Sequence, residues 1–349
     1  MRVAIIGAGA IGGWLAAGLT RGGHQVSLLA RGATLAALRE RGLIFSNAQG
    51  EQHWPVQVSD RSSDLGAQDW VVLALKAPAL LAMAAGLPDT LKPLMGSRTR
   101  VLTAMNGVPW WFLQGLKPRW AVGAPTDGGL RSVDPQGGLA QAVPADAVTG
   151  CVVHASCHTP APGHVHHHFG NGLIVGDPMG GGSEATRELV AALTTCGFEA
   201  KLSERIQMDV WFKLWGNMTM NPLSAITGAT TDKMLNDPEV RGFVSHVMLE
   251  AREIGARLGL PIAQEPEDRH AVTAKLGAFK TSMLQDVEAG REVELDALVT
   301  SVQELGRLTG VSTPYTDALL GLARLRLQVL GLYGRKTDRK STRLNSSHT

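Results

Sequence analysis

The sequence predicts an α/β fold: an N-terminal Rossmann-type doubly wound domain followed by a mostly α-helical C-terminal domain. Three observations predict it. Short apolar runs alternate with helical stretches through the first half, a glycine-rich turn directly follows the first run, and long helical patterns dominate from Glu204 onward.

In chain order, residues 3–6, 26–30, 70–75 and 101–104 read as buried strands. Residues 11–20, rich in Ala and Leu, form the helix between the first two, stopped at Gly22-Gly23. Alternating runs at 148–156 and 173–175 predict further strands, extending the sheet with antiparallel pairs. Gly180-Gly181-Gly182 is a loop, residues 184–195 a helix, and residues 198–202 the last strand. Beyond it the pattern predicts helices over 206–227, 238–258, 266–275, 294–309 and 316–330. The expected division is a dinucleotide-binding domain at 1–203 and a helical substrate and catalytic domain at 204–337.

A chain of 349 residues is long enough for two such domains, and no internal repeat interrupts them. A net charge of +2 argues against a dedicated nucleic-acid binder, which needs a concentrated basic surface. No apolar run reaches the roughly eighteen residues of a membrane span. The start, Met1-Arg2-Val3-Ala4-Ile5-Ile6-Gly7, runs straight into a strand and leaves no room for a signal peptide. Cys151, Cys157 and Cys196 form no C-x-x-C pair, which speaks against disulfide scaffolding and thiolate zinc binding. A reducing cytoplasm fits this usage. The run from Asp338 to His348 reads like a translated sequencing-adapter oligonucleotide, so residues 338–349 are set aside as an artefact; the alternative is a genuine polar tail.

Gly7-Ala8-Gly9-Ala10-Ile11-Gly12 is a G-x-G-x-x-G placed after a strand and opening a helix. Gly7 makes the tight turn, Gly9 lets the backbone approach a pyrophosphate, and Gly12 permits close helix–strand packing. The free N–H groups at the helix start attract the phosphates. The second strand ends in Leu29-Ala30-Arg31-Gly32, with no carboxylate before Glu40. A ribose 2′-hydroxyl is usually read by Asp or Glu at that place. Arg31 instead suits a 2′-phosphate, so NADPH is the expected cofactor. Lys76 and Asn106 follow the next strands, at the carboxyl ends where open α/β sheets bind ligands, and are expected to touch cofactor or substrate.

In the second half, Lys213, Asn217 and Asn221 recur every four residues, so they share one helix face. Trp211, Leu214, Trp215 and Met218 make their surroundings apolar. Partial burial would lower the lysine pKa and make it a better proton donor. Pro222 is expected to disturb the helix just past Asn221. The spacing alone is equally compatible with a surface lysine and two incidental asparagines.

The motif at 7–12, Lys76, Asn106-Gly107, the run from Lys213 to Asn221-Pro222, Ser282-Met283-Leu284-Gln285-Asp286 and Glu294-Leu295-Asp296 occur in this order. Together they resemble the ketopantoate reductase (2-dehydropantoate 2-reductase) family over roughly residues 1–330. The resemblance implies a Rossmann domain, a helical domain and a substrate cleft between them. It implies Lys213 as the general acid that protonates the carbonyl oxygen as hydride arrives. It further implies that Asn106, Asn217, Asn221 and Ser282 position cofactor and substrate, and that Glu294 orients substrate or lysine. Two stretches depart from pantothenate-pathway members: Val108-Pro109-Trp110-Trp111-Phe112 after Asn106-Gly107, and Ala297-Leu298-Val299 where many members carry an Asn-Gly pair.

The expected partner is thus a small 2-oxo acid, and the chain is compatible with a homodimer. Two alternatives stand beside this reading: a related NADP-dependent dehydrogenase of another hydroxy acid, and a non-catalytic NADPH-binding sensor. His164, His166 and His168 share a strand face by alternation, but no carboxylate stands beside them in sequence, so no metal is expected. Pro109-Trp110-Trp111 suits a partner patch, a pocket wall or the core. Asp127, His154 and His246 have no spacing that supports a Ser–His–Asp triad.

Overall fold

The computed structural model describes residues 1–117, 120–122, 125 and 129–334. Asp127 and residues 338–349 lie outside the described residues. The fold is a mixed, mostly parallel sheet carrying a helical C-terminal layer, as the alternation of apolar runs predicts.

Strands β1 (Arg2–Ile6), β2 (Gln25–Leu29), β3 (Leu43–Asn47), β4 (Gly50–Trp54), β5 (Gln57–Ser59), β6 (Trp70–Leu73), β7 (Arg100–Ala104), β8 (Val148–Ala161), β9 (His164–Gly176) and β10 (Glu199–Leu202) form one sheet. Its order is β4-β3-β9-β8-β7-β6-β1-β2-β5, with β10 beside β9. Five neighbours, β5-β2-β1-β6-β7, pair in parallel, and the chain leaves β1 in opposite directions on its two sides. That reversal opens a crevice at the carboxyl ends of β1 and β6. The antiparallel pair expected at the far side is β8 with β9. A second antiparallel pair, β3 with β4, was not expected and docks on β9 through residues 44–46.

The connecting helices are α1 (Ala10–Arg21), α2 (Gly32–Arg41), α3 (Ala77–Ala82), α4 (Leu87–Leu91), α5 (Gly138–Ala142) and α6 (Glu184–Thr195). Apolar side chains bury both faces of the sheet in two separate clusters. The close fit of α1 is set by its glycines: a methyl group at Gly13 would strike Val165, and one at Gly18 would strike Phe198.

From Ile206 every described element is helical: α7 (Ile206–Thr227), α8 (Thr231–Asn236), α9 (Pro238–Arg257), α10 (Pro266–Ala274), α11 (Ser282–Glu288), α12 (Ser301–Thr309) and α13 (Pro314–Val329). The long α7 is the axle. Trp211, Leu214, Trp215 and Met218 are buried against α9, α11 and α13, each worth about 1.5–3 kcal/mol of transfer free energy. The expectation for Pro222 is corrected here: α7 runs through it and ends five residues later, where Gly228 adopts a left-handed φ of 71°. Tertiary packing holds the helix together across the missing N–H, because Asn221, Pro222 and Leu223 are all buried. Residues Asp296–Thr300 wind as a π-helical turn that leads directly into α12.

Trp110 and Trp111 belong to the core, at 3% and 1% exposure, which removes the partner-patch alternative. Trp111 donates its indole N–H to Thr103 Oγ1 at 3.0 Å and packs on Gly150, whose bare Cα makes room for the ring.

Candidate active site

The glycine motif sits as its spacing requires. Gly7 adopts φ 106°, and a Cβ there would lie 2.7 Å from the Ala74 carbonyl oxygen. A Cβ on Gly12 would collide with the carbonyl of Gly7. A Cβ on Gly9 meets nothing within 4 Å, so this backbone is bare on the side open to a ligand. Ala10, Ile11 and Gly12 form the first turn of α1, and its N-cap Gly9 offers no side chain to compete for the free N–H groups.

A cleft of about 240 Å³ opens beside this turn, lined by Ile6, Gly7, Ala8, Gly9, Leu29, Ala30, Arg31, Thr34 and Met83. Arg31 is exposed at the N-cap of α2, and no carboxylate is among the described residues that line the cleft. These residues fit a dinucleotide whose ribose end carries a phosphate: bare backbone, free helix N–H groups and a guanidinium at the end of β2.

Lys76 and Asn106 follow β6 and β7, at the carboxyl edge of the sheet. The Lys76 ammonium pairs with Asp286 on α11 at 2.5 Å, and Arg291 reaches the other oxygen of that carboxylate at 3.0 Å. Lys76 is therefore tied to the helical layer and does not line the Arg31 cleft. Next to it, the backbone N–H of Ala77 donates to Glu294 Oε1 at 3.0 Å. Gly107, with φ 78°, lies against the carbonyl of Ala297, which accepts the Val108 N–H at 2.8 Å. The Asn106-Gly107 turn is thus docked on the π-helical turn that follows Glu294, a type of irregularity common at functional sites.

The face of α7 predicted from spacing is turned toward these strand ends. Lys213 Nζ donates to Asn106 Oδ1 at 2.8 Å and to the Val153 carbonyl of β8 at 2.6 Å. Burial, helped by the Arg269 cation and opposed by Glu294, pulls its pKa down to about 8. Cys151 gives the lysine no effective counter-charge, because burial holds that thiol protonated up to about 12. The Glu294 carboxyl, only 9% exposed, is itself pushed upward by burial, and the Ala77 N–H and Lys76 oppose that rise. One turn past Lys213 lies the half-buried Asn217. Asn221 is 5% exposed and reaches the Ser282 hydroxyl at 3.4 Å. Ser282 opens α11, and the adjacent Thr281 fixes it to α7 through a 2.5 Å hydroxyl pair with Ser224.

The sequence reading gives no role to three groups beside the site. His154 of β8 feels both Lys213 and Arg269, and burial with these two cations lowers its pKa to about 4. Arg269 of α10 lies over the Phe212 ring at 5.6 Å and against Gly216 of α7. Asp286, quoted only as part of a motif, joins the sheet to the helical layer. The histidine cluster lies further out on the β8–β9 hairpin. Ser46 Oγ bonds both His164 and His166, and His158 bonds His168 at 2.7 Å. Among the described residues no group of three His, Cys, Asp or Glu is arranged to hold a metal ion. No described helix is long and apolar enough to cross a membrane.

Comparison with known proteins bears directly on this arrangement. Residues 3–109 match the family model described as ketopantoate reductase PanE/ApbA, and residues 205–327 match the model of its C-terminal domain. A curated 2-dehydropantoate 2-reductase from Mesorhizobium japonicum is 41% identical, covering 95% of this chain and 100% of that protein. A crystal structure of a candidate ketopantoate reductase from Ralstonia solanacearum is 49% identical with a TM-score of 0.88, covering 95% of this chain and 99% of that one. The 2-dehydropantoate 2-reductase from Methylococcus capsulatus superposes with a TM-score of 0.77 at 26% identity, covering 96% and 99%. Motif order, fold and relatives agree: the chain belongs to the ketopantoate reductase family of oxidoreductases.

Proposed function

We propose that this protein reduces a 2-oxo acid, foremost 2-dehydropantoate to pantoate, with NADPH as the reductant and Lys213 as the proton donor. The observation that carries this reading is the setting of Lys213. Its ammonium is pulled down to about 8, aimed by Asn106 and Val153, and placed where the carboxyl ends of the sheet meet the helical layer.

NADPH, when bound, supplies the hydride. The glycine turn at 7–12 and the start of α1 would hold its pyrophosphate, and Arg31 would hold the 2′-phosphate. Asn106, beside the cofactor edge of the sheet, fixes the ammonium of Lys213. As the carbonyl carbon of the substrate gains the hydride, negative charge grows on its oxygen. Lys213 stabilises that charge and delivers its proton there, giving the 2-hydroxy acid. A donor with a pKa near the working pH suits this transfer. Glu294 keeps a carboxylate within electrostatic reach of the ammonium and so sustains its protonated form. Asn217, Asn221 and Ser282 line the same face of α7 and α11 and orient the substrate. Lys76 braces the cofactor edge against α11 through Asp286. We take the nucleotide-binding unit as 1–203 and the catalytic unit as 204–337, a reading supported by the family-model matches at 3–109 and 205–327.

The test is a panel of 2-oxo acids, including 2-dehydropantoate, followed by NADPH oxidation. Reduction of 2-dehydropantoate ahead of the others is expected. No oxidation across the panel would defeat the reading.

A further inference from the structure

Among the described residues Arg269 has no counter-ion. Its Nε is buried with no hydrogen-bond partner, and no carboxylate pairs with it among the described residues. Burial lowers its pKa, the expected response of a cation left partly desolvated. Such a group is costly unless something completes it.

Its surroundings hold it in place. The guanidinium lies over the face of Phe212 at 5.6 Å and sets its Nε–Nη2 edge against Gly216, which leaves the terminal Nη1–Nη2 end for a ligand. Phe212 and Gly216 are one helical turn apart on α7, flanking the stripe of Lys213 and Asn217. Gly216 makes the position available: a Cβ there would lie 2.7 Å from Arg269 Nε and 2.9 Å from its Nη2. Glycine in a helix interior costs about 1 kcal/mol against alanine, so this helix gives up stability where the guanidinium rests. The arginine is close enough to Lys213 and His154 to disfavour their protonation. His154 is therefore neutral at pH 7, and Lys213 and Arg269 are the cations of this corner, with Glu294 the carboxylate acting on Lys213.

We infer that Arg269 is a substrate-binding residue that takes the carboxylate of the 2-oxo acid whose carbonyl oxygen faces Lys213. The assignment rests on the reductase reading and adds how an acid is told from an uncharged ketone. A planar guanidinium matches a carboxylate through two parallel N–H donors, a fit that lysine lacks. The carboxylate in turn supplies acceptors for the terminal nitrogens of this half-buried arginine, which has no carboxylate partner among the described residues.

The test uses the full chain loaded with NADPH and two non-reducible probes, oxamate and its uncharged counterpart oxamide, with binding read by calorimetry. The wild type is expected to favour oxamate. Arg269→Met keeps the stem on Phe212 and should weaken oxamate binding by at least about tenfold while leaving oxamide unchanged. Arg269→Lys should recover part of the loss. Gly216→Ala keeps the charge but fills its resting place, and should weaken oxamate binding with no fall in Tm. Wild-type indifference between the probes, unchanged oxamate affinity in Arg269→Met, or an equal loss of both probes would overturn the assignment. Failure of the reductase reading shows separately, as absence of NADPH oxidation by 2-oxo acids, because these probes bind without turnover.

Discussion

Lys213 Nζ lies 2.8 Å from Asn106 Oδ1, a hydrogen bond that joins the main helix of the C-terminal layer to the carboxyl edge of the sheet. In the proposed reading the proton donor is therefore aimed by a residue at the carboxyl end of β7, the edge proposed to meet the cofactor. On that reading, chemistry and the packing of sheet on helical layer share one contact. Val108, two residues on, holds the same turn by donating its N–H to Ala297 in the π-helical turn.

The pH dependence follows from the Lys213 pKa of about 8. Reduction requires the ammonium, so its kcat should fall as pH rises through about 8. Oxidation of the hydroxy acid requires the neutral amine and should rise over the same window. Glu294 raises the lysine pKa, so Glu294→Gln should move the reductive limb toward lower pH. Steady-state profiles in both directions check this; a reductive profile flat from about pH 7 to 9 would contradict it.

Arg31 stands at the end of β2 on a cleft with no carboxylate among the described residues of its lining. Arg31→Ala should raise KM for NADPH by about ten- to a hundredfold and leave NADH nearly unaffected. Comparison of the two cofactors in wild type and variant reads this directly. A surviving NADPH preference would place its source elsewhere.

Two glycines of one motif should fail differently. Gly12→Ala drives a methyl group into the Gly7 carbonyl, so it should lower Tm and distort the turn. Gly9→Ala meets no protein atom within 4 Å, so Tm should hold while NADPH affinity drops. Thermal melts with and without NADPH separate the two: ligand-induced stabilisation should vanish for Gly9→Ala in a protein that is otherwise stable.

Much of this architecture is legible because it is periodic. β1, β2, β6 and β7 are short apolar runs buried from both sides, and α7 matches its predicted limits because its apolar positions recur at helical spacing. The β3–β4 pair escaped because Gly50–Trp54 is a polar edge strand, and the partner of β3 is β9, more than a hundred residues away. The same non-locality hid His154 and Arg269. Neither belongs to a motif, and each acquires meaning only when β8 and α10 fold against Lys213 and Gly216. For Trp110 and Trp111 the sequence leaves partner patch, pocket wall and core open because local spacing does not report depth; in the fold both are buried in the core, Trp111 against Gly150.

The most direct test of the account is Lys213→Ala, measured as single-turnover oxidation of bound NADPH by 2-dehydropantoate alongside NADPH affinity. The account predicts that turnover falls by about 10²–10⁴-fold while NADPH binding changes little. Turnover that survives, or a loss of NADPH affinity as large as the loss of rate, would contradict it and leave Lys213 a structural residue.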